Sequence, residues 1–152
     1  MDFMDLLMAI AHHLLIFALV AVIAAEAVLM RPGLSGNALA RLGRFDGIYG
    51  AVAVLILIVG FLRVFYGEKG SDYYFSNWAF HAKLTAFVVV GLLSILPTVR
   101  ILRWRKAAAA NPGYVVPDAE ISGARGFLMA EMAVFVLIPI FAAMMARGIG
   151  YF

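Results

Sequence analysis

Cysteine is absent from the chain, which excludes disulfides, thiolate metal sites and a cysteine nucleophile. Charge is scarce: 14% of the residues are Asp, Glu, Lys or Arg, against about a quarter in soluble domains. No Lys or Arg precedes the first apolar run, where Asp2 and Asp5 stand instead, so that run reads as a retained span rather than a cleaved signal. A phosphate-cradling glycine loop, a nucleophile elbow and the basic–aromatic pattern of a nucleic-acid surface are also missing. No internal repeat or low-complexity tract breaks the chain into units.

Apolar residues are plentiful. Of the 152 residues, 65% are hydrophobic, more than a soluble core of this size can bury, so the excess must face lipid. Four segments reach the roughly 20 residues needed to cross the hydrocarbon, at about Asp5–Met30, Phe45–Tyr66, Asn77–Trp104 and Ser122–Arg147. The sequence therefore predicts an all-α integral membrane four-helix bundle, with residues 1–152 as one four-span domain. Arg31-Pro32-Gly33 ends the first span, and Leu34 to Arg44 reads as a short interfacial helix with Leu39 and Leu42 on one side. Pro97 and Pro139 mark kinks in the third and fourth spans. Gly43, Gly47 and Gly50 share one helical face and would let a neighbouring backbone approach, within the chain or between copies in a homo-oligomer. Tyr73, Tyr74, Phe75 and Trp78 read as an interfacial aromatic belt.

The net charge of +3 orients the chain rather than recruiting nucleic acid. Arg31, Arg41, Arg44, Arg103, Arg105 and Lys106 all fall in the first and third connections. The positive-inside rule then places both termini on the outer, periplasmic side.

In that topology the polar residues sort into two layers. His12, His13, Arg63, Tyr66, His81, Lys83 and Arg147 lie near the outer face. Glu26 and Glu131 lie deeper, with Arg100 and Arg125 at the rim. Ionisable groups inside a membrane are costly and mark candidate functional sites. His12 and His13 are neighbours about 100° apart, so at most one faces the bundle centre. Three histidines without cysteine do not make a structural zinc pattern, whereas one imidazole in a bundle core can be an axial ligand to haem iron. His12 or His13 is the candidate metal ligand, and Lys83, Arg63 and Arg147 are candidates to hold porphyrin propionates. The bundle wall offers one alternative, an interhelical hydrogen bond for each histidine and headgroup anchoring for each cation. Glu26 and Glu131 either form a proton or cation path or pair with Arg100 and Arg125 as interhelical ties.

Arg31-Pro32-Gly33-Leu34, Leu62-Arg63-Val64-Phe65-Tyr66-Gly67, Phe80-His81-Ala82-Lys83-Leu84 and Met145-Ala146-Arg147-Gly148-Ile149-Gly150 resemble an uncharacterised family of small four-helix bacterial inner-membrane proteins. A more distant resemblance, over the first two thirds of the chain, is to HemJ-type protoporphyrinogen IX oxidases. His12 or His13, Arg31, Gly60, and His81 with Lys83 and Leu84 fall where that family has its first-helix histidine, basic helix end, glycine and third-helix start. Two departures stand out: Trp78 lies one position early, and the first-helix histidine is doubled. The resemblance implies haem b, an oxidoreductase activity with Lys83 and His81 as catalytic residues, Trp78 at the cofactor, and a tetrapyrrole and a quinone as partners beside membrane lipid. The rival expectations are a transport component using Glu26 and Glu131, and a non-catalytic scaffold or lipid-binding protein.

Overall fold

The computed structural model describes residues 3–151. Its helices are α1 (Phe3–Leu29), α2 (Gly36–Tyr66), α3 (Gly70–Phe75), α4 (Trp78–Ala110), α5 (Asp118–Phe135) and α6 (Leu137–Ala146). Among the described residues there is no β-strand, only two isolated bridges. Helices α1, α2, α4 and the α5–α6 pair are each long and apolar enough to cross a membrane. Leu14, Phe17, Val54, Leu92 and Ile95 point outward along them, as residues in contact with acyl chains must.

The inward face of each long helix follows a spacing of three and four. Leu19, Val22, Ile23 and Glu26 are buried on α1, with Met30 just beyond its end, and Leu39, Leu42, Asp46, Tyr49, Val52 and Ile56 on α2. Ile121, Ala124, Leu128 and Glu131 continue the pattern on α5. Helix α1 packs chiefly on α2, and α4 on α5 and α6, while α2–α4 and α1–α5 contacts close the bundle.

Of the stretch 34–44, expected as a separate interfacial helix, the residues from Gly36 onward are instead the start of α2, with Ser35 at the N-cap position. At 31 residues, α2 rises about 46 Å, well beyond a hydrocarbon core of about 30 Å. The extra turns pair with the equally long end of α4, and Leu39 and Leu42 bury against protein, not lipid, in a cluster with Ile101 and Trp104. Pro139 acts as expected. It cannot donate to the Phe135 carbonyl, and the helix breaks at Val136, between α5 and α6. Pro97 does not interrupt α4, which runs through it to Ala110.

Both ends of the bundle are closed by short ties. At the arginine-rich end, the first and third connections meet where Val116 N–H donates to the Leu34 carbonyl at 3.0 Å. Arg125 reaches from α5 to the Ala27 and Met30 carbonyls at 2.7 and 2.9 Å, satisfying the end of α1. At the opposite end, Asn77 caps α4 by accepting from Ala79 N–H at 2.9 Å and donates to the Ile149 carbonyl at 3.3 Å. Trp78 N–H donates to the Gly150 carbonyl at 2.8 Å. Gly150 has φ of +109°, and a Cβ there would sit 2.6 Å from Asn77 Oδ1, so only glycine fits. Tyr73 donates to the Met145 carbonyl at 2.9 Å. Asp5 lies beside Gly67, so the start of α1, the second connection and the C-terminal segment share one end.

The aromatic belt is only partly a belt. Tyr74 turns inward with Val64 and Phe80, stacking edge to face on Tyr73, while Phe75 and Trp78 stay exposed. These rings plug the end of the bundle. Asn77 is wholly buried, and Asn77→Ala removes both the cap and the tie to Ile149. That substitution should cost about 1–2 kcal/mol in equilibrium unfolding from mixed micelles. Wild-type stability in the variant would show that the C-terminal segment is not held there.

Candidate functional site

One imidazole enters the bundle. His12 is half-buried on α1 and faces Gly60 of α2, where an added Cβ would stand 3.4 Å from its Cε1. The ring thus packs against α2 at Gly60, where even a Cβ would be in ordinary contact with it. His13, one position on, is exposed and its Nδ1 meets the carbonyl of Ala9 of its own helix at 2.7 Å. The rotation of about 100° per residue separates the two roles.

Two cations join His12. Arg63, one turn beyond Gly60 on α2, and Lys83, on α4, are half-buried and lie within electrostatic reach of His12. Lys83 Nζ also rests 5.5 Å from the centre of the Phe80 ring. His12 Nδ1 and Arg63 Nε are buried and lack hydrogen-bond partners. Three helices therefore contribute to one cluster of positive or proton-accepting groups. The other outer residues do not enter it. His81 is exposed and hydrogen-bonds the Phe75 carbonyl at 2.9 Å through Nε2, which holds the end of α3. Arg147 and Tyr66 are exposed, and Trp78 lies edge-on to Phe141 with ring centroids 6.1 Å apart.

A second polar layer lies deeper. Glu26 and Glu131 are 3% and 1% exposed. They interact electrostatically across the bundle, and the hydrogen bonds of Arg100 and Arg125 go elsewhere. Arg100 donates to the Glu120 carbonyl at 3.0 Å, and Arg125 takes the carbonyls at the end of α1. Helix ends present unsatisfied carbonyls near the rim, and these lie closer to the arginines than the deep carboxylates do.

The sequence reading missed the third carboxylate. Asp46 on α2 interacts with both glutamates and accepts from the Thr98 hydroxyl of α4 at 2.7 Å. Tyr49, one turn on, has its phenol within hydrogen-bonding reach of Glu131 and Ser94. The signal was available: Asp46 sits between Leu42 and Tyr49 at the spacing of the buried stripe. Gly43, Gly47 and Gly50 do not bring backbones together: Gly43 makes room for the Arg105 side chain, and Gly47 and Gly50, like Gly91 of α4, face open space. Nothing lies within 4 Å of a Cβ at these last three, because they border a cavity of about 310 Å³ between α2 and α4. Among the described residues, no group of three or more His, Cys, Asp or Glu is arranged to hold a metal ion.

The fold and these buried layers define an all-α, multi-pass membrane protein. Over residues 4–150 the chain matches the family described as "Predicted membrane protein (DUF2214)", and it belongs to that family. Neither the curated proteins nor the solved structures yield a match to it.

A carboxylate with an unpartnered oxygen in the bundle interior is unfavourable for folding. Glu26→Met, which keeps the volume, should therefore be neutral or stabilise by about 1 kcal/mol or more in micelle unfolding. A loss of similar size would make Glu26 a structural tie. Thr98→Val breaks an interhelical bond and should cost about 0.5–1.5 kcal/mol in the same assay.

Proposed function

We propose that this protein binds a tetrapyrrole, haem b or a related porphyrin, at the outer cluster of His12, Arg63 and Lys83 and serves a redox role similar to that of HemJ-type oxidases. The observation that carries the reading is the convergence of His12, Arg63 and Lys83 from three helices, with unpartnered nitrogens on the first two. A dianionic porphyrin needs an axial nitrogen and cations for its propionates, and this set offers both. His12 fits the axial role better than His13, because His12 is turned into the bundle against Gly60 whereas His13 is exposed on its outer face. The fit is to one axial imidazole, since His81 is turned to the Phe75 carbonyl.

In this reading His12 would hold the iron, while Arg63 and Lys83 would hold the carboxylates and set the ring's depth. Tyr73, Tyr74 and Phe80 would keep bulk water from the cluster. The bound group would supply one-electron chemistry, exchanging with a lipid-soluble tetrapyrrole or a quinone. His81, Arg147 and Trp78 would act at the cluster's rim, where substrate enters. The arginine-rich end would face the cytoplasm of a bacterial inner membrane, with both termini outside.

The carboxylate layer favours a second activity, passage of a proton or small cation past Glu26 and Glu131, both buried with one oxygen unpartnered. Flux into liposomes that disappears in Glu131→Gln would support it, and equal flux in both would refute it.

The visible spectrum of gently solubilised protein, oxidised and then reduced, tests the main reading. A Soret band is expected in the wild type and in His13→Ala, and a loss of at least about tenfold in haem retained is expected for His12→Ala. A wild type that shows no Soret band even after haemin titration overturns the assignment. So does anionic phospholipid retained through Arg63 and Lys83 with no tetrapyrrole present, which would leave a lipid-binding scaffold.

A further inference from the structure

We infer that the groove between the end of α1 and α5, at the arginine-rich end of the bundle, holds the phosphate of an anionic phospholipid. The turn Arg31-Pro32-Gly33 follows α1 there, and Ala27, Val28, Met30, Arg31, Pro32 and Arg125 line a hollow of about 400 Å³. Two of its walls are guanidiniums and none is a carboxylate. The hollow sits where an apolar span gives way to a basic connection, the depth at which a bilayer carries its phosphates. Basic pockets between membrane helices are places where anionic headgroups bind.

Both guanidiniums are held by backbone and still have donors to give. Arg125 spends Nη1 on the Ala27 and Met30 carbonyls, at 2.7 and 2.9 Å, and Arg31 donates Nε to the Val28 carbonyl. Among the described residues neither makes an ion pair, and both Nη atoms of Arg31, with Nε and Nη2 of Arg125, have no partner in the chain. The acidic side chains of this end are occupied or set apart. Glu120 accepts from Trp104, Asp46 accepts from Thr98, and Asp118 lies two turns before Arg125 on α5. Arginines tethered in this way keep their planar forks oriented, so little side-chain freedom is lost when an anion arrives. A phosphodiester accepts from both forks at once.

An apolar track leads from the hollow toward the bilayer centre. Val28, Ala24 and Ala21 recur on one side of α1, Met129 stands one turn from Arg125 on α5, and all four are exposed. Contacts between α1 and α5 are sparse beside those of α1 with α2, so an acyl chain can lie along this seam. A free phosphate would satisfy the guanidiniums and leave the track bare, which favours a lipid as the occupant.

The site lies at the opposite end of the bundle from His12, Arg63 and Lys83 and does not depend on the tetrapyrrole reading. Native mass spectrometry of the full chain, released from nanodiscs of equal phosphatidylglycerol and phosphatidylcholine, reads the lipid retained. A single phosphatidylglycerol, kept in preference to phosphatidylcholine, is expected, and retention should fall about tenfold in Arg31→Gln. Val28→Trp, which keeps both cations and fills the hollow, should lower it as far, each variant showing the far-ultraviolet dichroism of the wild type. Arg103→Gln, an exposed arginine outside the groove, should retain lipid like the wild type. Equal retention of the two lipids, wild-type retention in Arg31→Gln or Val28→Trp, or full displacement of the lipid by an equal amount of inorganic phosphate overturns the proposal. So does retention lost in Arg63→Gln and kept in Arg31→Gln, which would put the lipid at the other end.

Discussion

A polar side chain that enters the hydrocarbon must find a partner in its own helix or inside the bundle, because lipid offers neither hydrogen bonds nor a high dielectric. That constraint sets the rotation of each helix. On α1 it turns His12 and Glu26 inward and lets Leu14 and Phe17 face lipid. On α2 it places Asp46, Tyr49, Gly60 and Arg63 along the side that meets α1 and α4. The two polar layers are consequences of one requirement applied at two depths, with cations and imidazole near one end and carboxylates nearer the other.

The ties at the ends make this arrangement hold. Arg125 closes the last turn of α1 and joins it to α5, while the Val116–Leu34 bond joins the two connections beside it. Asn77 and Gly150 do the same at the far end. With both ends fixed, the middle can retain features that weaken packing: glycines facing a hollow and carboxyl oxygens without partners. Such features are expensive in a membrane helix, and buried ionisable groups of this kind mark candidate functional positions.

Much of the fold was legible in the sequence, since long apolar runs separated by arginine-rich or Pro/Gly turns specify spans directly. The start of α2 was not, because Leu39 and Leu42 present the same stripe to lipid headgroups as to a partner helix. Only the matching overhang of α4 decides between them. The outer site was half legible. Sequence grouped His12, Arg63 and Lys83 at one depth but could not exclude His13, His81 or Arg147, whose direction depends on helix rotation. Asp46 was overlooked because it follows a run of arginines near the span's beginning, where a charged residue looks like an interfacial one.

The central claim is that the polar faces of α1, α2, α4 and α5 meet one another inside the bundle. A chain without cysteine permits a direct test by pairwise cysteine cross-linking in native membranes. The pairs at positions 46 and 98 and at 49 and 131 should be joined rapidly by a short bifunctional maleimide, and the outward pair at 14 and 92 should not. Efficient joining of the outward pair with none of the inward ones would show that the helices are rotated otherwise, and both polar layers would dissolve with that result.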